Sequence, residues 1–127
     1  MKIQRRFTEK GKAPYGEITF DSRISEIKDA EGEVIFRQEN ASVPSSWSQI
    51  ATDILAQKCF RKAGVPKSNG KGDGETSAEQ VFHRLAYTWT EWGKRYGYFD
   101  TEDDGAAFYD EMCYMLAAQV AAPNSPQ

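Results

Sequence analysis

The sequence predicts an α+β fold, mainly α, in which a short N-terminal β-hairpin and its strands precede three amphipathic helices. The first 42 residues have the short apolar runs and turn residues of β-structure, whereas the apolar residues after Val43 recur with a helical period. The chain has 127 residues, of which 13% are aromatic. This length and composition predict a single domain with a hydrophobic core.

Residues 1–42 are predicted to form strands and turns. Residues 16–20 (GEITF) are a short strand candidate, and residues 25–38 have the pattern of a hairpin. The hairpin turn lies at residues 29–32 and ends in Gly32, since glycine allows the positive φ that a tight turn needs. Because a lone hairpin is marginally stable in water, we expect these strands to lie against another element.

Three helices are predicted within residues 43–122. The first begins with Ser45 or Ser46 as its N-cap and ends at Gly64, shortly before Pro66. Its apolar residues have helical spacing and predict the buried face: Trp47, Ile50, Ala51, Ile54, Leu55 and Cys59. Residues 67–76 follow as a flexible, glycine-rich loop. No strand precedes this loop and its Gly-Lys lacks the following Ser or Thr, so a phosphate-binding loop is not predicted.

The second and third helices each start with a capping box. Ser77 pairs with Gln80, and Thr101 pairs with Asp104. The apolar face of the second helix comprises Val81, Phe82, Leu85, Ala86 and Trp89. That of the third comprises Phe108, Met112, Met115, Leu116 and Gln119, widened by Tyr109, Cys113 and Val120. A helix this apolar packs on more than one side, and we expect part of its surface to stay uncovered in this chain.

Charge is distributed unevenly although the net charge is only −3. Residues 1–12 carry five basic side chains and one acid, while residues 100–111 carry six acids and no base. A solvated leader explains the first segment, and favourable interaction with a helix dipole explains most of the second. Salt-sensitive, unspecific attachment of the leader to nucleic acid is a weaker alternative.

No catalytic residue and no metal ligand set is predicted. His83 is the only histidine and is expected at the surface, without a partner for general-base chemistry. Cys59 and Cys113 lie 54 residues apart and are expected to be free, buried and structural. The sequence shows no secretory signal and no apolar run long enough for a membrane span, so the predicted location is the cytoplasm.

The order of these segments resembles the start of adenosylcobalamin-dependent, class II ribonucleotide reductases. The most specific blocks are WSQIATDILAQKCFRKAGVP (47–66), YFDTEDDGAAFYDEM (98–112) and AAPNSPQ (121–127). The resemblance covers essentially the whole chain apart from the glycine-rich loop. It implies an N-terminal, mostly helical region that packs on an α/β barrel.

The resemblance also implies an activity and a substrate-contacting segment. Members of the family reduce ribonucleotides to deoxyribonucleotides, using a cobalamin-derived radical to form a cysteine thiyl. Residues 123–127 match the segment that leads into the barrel and holds the substrate nucleotide. By this match Ser125 binds substrate, with Asn124 as a weaker candidate. Because Pro123 and Pro126 restrict the residues before them, Ser125 would be held extended, able to donate a hydrogen bond to a phosphate oxygen.

The chain ends at Gln127, before the barrel of such an enzyme would begin. The resemblance therefore implies that the catalytic cysteines and the adenosylcobalamin site lie outside this chain, which would not catalyse alone. The implied partners are the remaining barrel, a ribonucleotide substrate and a thioredoxin-type reductant; whether a homodimer forms is left open. The alternative is a stand-alone helical module that binds a partner protein, such as a reductase that it modulates.

Overall fold

The computed structural model describes residues 1–66 and 73–124 of the chain. Two antiparallel strands, β1 (Phe20–Lys28) and β2 (Val34–Pro44), come first. The helical elements follow as α1 (Gln49–Ile54), a π-helical segment (Leu55–Cys59), α2 (Ala78–Arg95) and α3 (Glu102–Ala117). The predicted α+β class, mainly α, is confirmed. The chain divides into two compact units, one formed by Thr19–Val81 and the other by Met1–Ile18 with Phe82–Gln127.

The hairpin turn is confirmed where it was predicted. Gly32 has a φ of 84°, and the side chain of Asp29 accepts hydrogen bonds from the backbone N–H groups of Glu31 and Glu33 at 3.0 and 2.8 Å. The strand predicted at residues 16–20 is wrong except for its last residue. Its first residues form turns, because the N–H of Gly16 donates to the carbonyl of Ala13 at 3.1 Å.

The first helix starts later than predicted, with Ser48 rather than Ser45 or Ser46 as its N-cap. The Ser48 hydroxyl accepts a hydrogen bond from the N–H of Ala51 at 3.1 Å. The delay has a tertiary cause in β1. The guanidinium of Arg23 donates to the carbonyl of Ser45 at 2.9 Å and also to that of Trp47. These carbonyls are therefore held outside the helix, which can begin only after them.

The predicted buried face of the first helix is wrong at two of its apolar positions. Ile50 and Ile54 are 73% and 55% exposed, whereas Thr52 is fully buried. The hydroxyl of Thr52 donates to the Ser48 carbonyl at 2.9 Å and accepts from Arg23 at 3.0 Å. A helical stripe counted at 3.6 residues per turn also loses register here, because the second half of the helix is π-helical. The helix ends at Cys59, before Gly64.

The glycine-rich loop lies largely on residues 67–72, outside the described residues, but its two flanks are tied together. Val65 and Asp73 form an antiparallel bridge with hydrogen bonds of 3.0 and 3.1 Å. The buried carboxylate of Glu75 accepts from the N–H of Arg61 at 2.7 Å. The backbone N–H of Glu75 donates in turn to the Arg61 carbonyl at 2.7 Å.

Both predicted capping sites are found in the structure. The Gln80 side chain accepts from the N–H of Ser77 at 3.0 Å, while the Ser77 hydroxyl accepts from the N–H of Glu79 at 3.1 Å instead of from residue 80. At α3, the Thr101 hydroxyl accepts from the N–H of Asp104 at 3.2 Å, and the Asp104 carboxylate accepts from the N–H of Thr101 at 3.0 Å. The second arrangement is a complete capping box.

The basic leader packs along α3 instead of extending freely into solvent, which corrects the prediction, although Arg5 is the only one of its five cationic side chains that is not exposed. Five of the six acids between residues 100 and 111 accept hydrogen bonds or ion pairs from residues 1–10. Those acids are Asp100, Asp103, Asp104, Asp110 and Glu111. Two cations of the leader, Arg5 and Lys10, are therefore paired with acids of α3 within this unit.

The surface of α3 is also better covered than expected. No side chain from residue 107 to residue 117 is exposed. Part of the cover comes from the leader, where the ring of Phe7 stacks on Tyr114 with 5.1 Å between centroids and 13° between planes. The prediction that this helix packs on more than one side is confirmed. The expectation that it keeps an uncovered apolar surface is wrong over these residues.

Candidate functional site

The predicted substrate-contacting segment follows the end of α3, which has a well-defined geometry. The N–H of Val120 donates to the carbonyl of Met115 at 2.8 Å, and the N–H of Gln119 donates to that of Leu116 at 3.3 Å. Together with a φ of 57° at Gln119, these bonds form a Schellman motif. The motif stops the helix abruptly and turns the chain away from the helix axis.

Of the two predicted substrate-binding residues, the structure describes only Asn124. Asn124 is exposed and lies beyond the helix end, in a stretch without helix or strand that begins at residue 121. Ser125 lies outside the described residues. Pro123 is half-buried and separates the Schellman motif from both. The structure thus places Asn124 at the surface, five residues beyond Gln119 of the Schellman motif.

The buried thiol of Cys113 lies in a small polar cluster inside the same unit. Burial raises the pKa of Cys113, and this effect outweighs that of the nearby Tyr15 and Tyr109 hydroxyls, which favour the thiolate. Burial likewise raises the pKa of Tyr109. Both groups are therefore protonated at neutral pH, and Cys113 has the inert character of a structural cysteine. Cys59 likewise forms no disulfide but is only half-buried, which corrects the prediction for its burial.

His83 has a partner that sequence reasoning missed. Its Nδ1 lies 2.7 Å from the hydroxyl oxygen of Tyr109, and its ring stacks on Tyr87 with centroids 5.3 Å apart. The predicted surface position is confirmed, because His83 is exposed. Tyr109 is 26 residues away in sequence and on another helix, so no local pattern could have indicated the pair.

An open cleft of about 990 Å³ runs beside this pair, within the same unit. Its wall includes His83, Tyr87 and Lys94 from α2 together with Phe99 and Tyr109. The rim at the start of α3 is acidic, and Lys94 is paired with Glu91 at 3.0 Å. Within residues 1–66 and 73–124, no group of three or more His, Cys, Asp or Glu side chains could hold a metal ion.

The hydropathy of the helices can be compared with that of membrane-spanning segments. None of the helices in the described ranges is long and apolar enough to cross a bilayer.

Comparison with known proteins identifies the family. A family model described as class II vitamin B12-dependent ribonucleotide reductase matches residues 21–119. A vitamin B12-dependent ribonucleotide reductase of Agrobacterium fabrum is 46% identical over all of this chain, and that of Bradyrhizobium diazoefficiens is 44% identical. The enzyme of the same name from Rhodopirellula baltica is 37% identical over 99% of the chain. The chain spans only 12% of the length of each of these relatives.

Proposed function

The chain belongs to the family of class II vitamin B12-dependent ribonucleotide reductases, and from this we propose that it forms the N-terminal region of such an enzyme. The complete enzyme would reduce ribonucleotides to deoxyribonucleotides with adenosylcobalamin and a thioredoxin-type reductant. The observation that carries the proposal is the family match over residues 21–119, together with 46% identity to a relative over the whole chain. The match includes all three helices.

The adenosylcobalamin site would lie in the remainder of the enzyme rather than in this chain. A corrin ring needs a deep, largely apolar cavity. The cleft beside His83 is instead open and rimmed by carboxylates, so its residues do not fit the cofactor.

The contribution of this chain to the active site would be substrate binding by residues 123–127. The Schellman motif at Gln119 supports this role, because a helix end of fixed geometry positions the residues that follow it. Ser125 would donate its hydroxyl hydrogen to a phosphate oxygen of the nucleotide, and Asn124 would assist. A residue held extended between two prolines loses little conformational entropy on binding.

Ser125→Ala in the full-length reductase tests this role. A hydrogen bond to a charged phosphate contributes about 1.5–3 kcal/mol, so we expect kcat/KM for the ribonucleotide to fall by roughly tenfold to a hundredfold. The loss should appear mainly in KM, because the bond is made in both ground and transition states. Steady-state kinetics with saturating adenosylcobalamin would measure it.

Ser125→Thr is the matched control, because it keeps the hydroxyl and should retain most of the affinity. Equal losses in the Ala and Thr variants would indicate a packing role instead. An unchanged KM in Ser125→Ala would exclude Ser125 from substrate binding. In both variants, an unaltered affinity for adenosylcobalamin is expected.

A further inference from the structure

Three aromatic side chains at the end of α2 are exposed. Trp92, Tyr96 and Tyr98 are 53%, 65% and 59% exposed. Large aromatic side chains are costly to leave in water, and neighbouring ones on a surface mark interaction sites. The leader contacts that cover α3 in the same unit do not cover these three side chains.

These aromatics are neighbours held in a defined arrangement. The N–H of Tyr96 donates to the carbonyl of Trp92 at 3.0 Å, which places the two side chains one helical turn apart on the same face. Tyr98 is fixed by the Schellman end of α2, where its N–H donates to the Gly93 carbonyl at 2.8 Å and Gly97 has a φ of 69°. The rings of Tyr96 and Tyr98 are 6.2 Å apart.

The chemistry of this surface fits a protein partner better than a nucleic acid. Arg95 is exposed and lies between Trp92 and Tyr96 in the sequence. Trp, Tyr and Arg are the residue types enriched in the energetic centres of protein interfaces. A single-stranded nucleic acid would need a positively charged groove beside the stacking rings. Here Lys94 is already paired with Glu91, and the chain segment that follows Tyr98 is acidic.

The rest of the polypeptide is the occupant that the comparisons favour. The chain spans 12% of the length of relatives that align with all of it, so most of such a protein lies outside this structure. Resting on the function proposed above, we propose that Trp92, Arg95, Tyr96 and Tyr98 form the surface through which this region packs on the remainder of the full-length reductase. We call it the aromatic surface.

The backbone that carries the aromatic surface is rigid, which favours stable packing over transient contact. Trp92 and Tyr96 are carried by a helix and Tyr98 by its capped end, so little backbone entropy is lost when they are covered. The guanidinium of Arg95 would meet a carboxylate or backbone carbonyl of the covering segment, since a buried guanidinium needs such partners.

Hydroxyl-radical oxidation of the full-length protein, read by mass spectrometry, tests the proposal. Side chains left exposed should be oxidised at the rate measured in a free peptide that carries the same residues, whereas covered side chains should be oxidised much more slowly. We expect the slower rate for Trp92, Tyr96 and Tyr98. The protection should be unchanged over a hundredfold dilution of about micromolar protein, because the cover belongs to the same polypeptide.

Three results would overturn the proposal. Oxidation at the peptide rate would show that nothing covers the aromatic surface. Protection that disappears on dilution would identify a second copy of the chain as the occupant. Protection that appears only after a single-stranded oligonucleotide is added would identify nucleic acid instead.

A variant pair gives an independent readout. In full-length Trp92→Ala/Tyr96→Ala, Tyr98 should be oxidised near the peptide rate, whereas Tyr87→Ala should leave Tyr98 protected. Tyr87 is a matched control because it is exposed on the same helix outside the aromatic surface. Phe82, which is 3% exposed, reports whether the fold persists and should stay protected in both variants. Protection of Tyr98 in the double variant would contradict the proposal.

The wild-type assay separates this inference from the proposed function. Reductase activity with adenosylcobalamin and unprotected aromatics would overturn only the interface. An inactive protein whose aromatics are protected would overturn only the reductase function.

Discussion

Gly97 and Gln119 occupy equivalent positions in the Schellman ends of α2 and α3, with φ of 69° and 57°. Glycine adopts this left-handed conformation without steric cost, whereas a residue with a Cβ is strained there. Gln119 therefore holds the start of the proposed substrate-contacting segment in a geometry that its own side chain disfavours. Such strain is tolerated where the surrounding structure requires the turn.

We expect Gln119→Gly to raise the free energy of unfolding by about 1 kcal/mol, because glycine relieves the left-handed strain. Urea denaturation monitored by circular dichroism would measure the change. Gly97→Ala is the reciprocal control and should lower the stability by about the same amount. A destabilised Gln119→Gly protein would mean that the glutamine side chain makes a contact worth more than the strain.

The carboxylate of Asp104, at the start of α3, accepts several hydrogen bonds. It accepts from the N–H of Ile3 at 2.8 Å and from the N–H and hydroxyl of Thr101 at 3.0 and 2.8 Å. These hydrogen bonds, with that from Ile3 the largest, lower the pKa of Asp104 below its ordinary value of 3.8. A carboxyl whose pKa is lowered by folding stabilises the folded state above its unfolded pKa and loses that contribution as pH falls through its folded pKa.

Asp104→Asn should therefore flatten the fall in unfolding free energy as pH drops below 3.8. Chemical denaturation at a series of acidic pH values would show the difference from wild type. Glu102→Gln is the control, because it removes an acid of the same turn that is exposed. An acid limb as steep in Asp104→Asn as in wild type would assign the acid sensitivity to other carboxylates.

At the scale of elements, the pairing of the leader with α3 depends most on Glu111. This carboxylate is only 6% exposed and accepts hydrogen bonds from the backbone N–H groups of Arg6 and Phe7. Nearby, Arg5 pairs with Asp110 at 2.6 Å, and both side chains are largely buried. Backbone groups are the main donors to Glu111, so the leader is bound by its conformation as well as its charge.

Glu111→Ala should release the leader from α3. Hydrogen bonds to a charged acceptor contribute about 1.5–3 kcal/mol each and these two are only part-buried, so we expect a loss of roughly 2 kcal/mol in stability. Hydrogen exchange should accelerate at residues 3–8 and remain slow in the centre of α3. Glu102→Ala, at an exposed acid of the same helix, should leave exchange of the leader unchanged. Unchanged exchange in Glu111→Ala would show that the ion pairs hold the leader without it.

The sequence predicted the starts of α2 and α3 better than the start of α1. Their starts are set by local capping residues, Ser77 with Gln80 and Thr101 with Asp104, which a sequence shows directly. The start of α1 is set by Arg23, which lies 25 residues before the Ser48 N-cap and occupies carbonyls that would otherwise begin the helix. Long-range donors of this kind leave no local signature.

For the molecule as a whole, the internal pairing of charge bears on nucleic-acid binding. The chain carries a net charge of −3, and the leader's Arg5 and Lys10 are paired with Asp110 and Asp103. These two cations are therefore less available to release counterions from a phosphate backbone. This internal pairing weakens the nucleic-acid alternative that the leader suggested.

We therefore expect no measurable binding of a single-stranded DNA oligonucleotide at about 150 mM salt, where charges more than ~8 Å apart are screened. Fluorescence anisotropy over a salt titration would test this. Asp103→Asn/Asp110→Asn, which frees two cations, should gain weak binding at low salt only. Tight binding by the wild-type chain at physiological salt would contradict the expectation.

The sequence by itself determined the α+β class, the hairpin turn, the capped starts of α2 and α3, and the family. Each depends on residues close together in the chain or on an ordered set of motifs. Only the tertiary structure decided that the leader packs on α3, that Arg23 delays α1, and that His83 meets Tyr109. These are contacts between residues far apart in sequence, and their partners are chosen by packing and hydrogen-bond geometry that no local periodicity encodes.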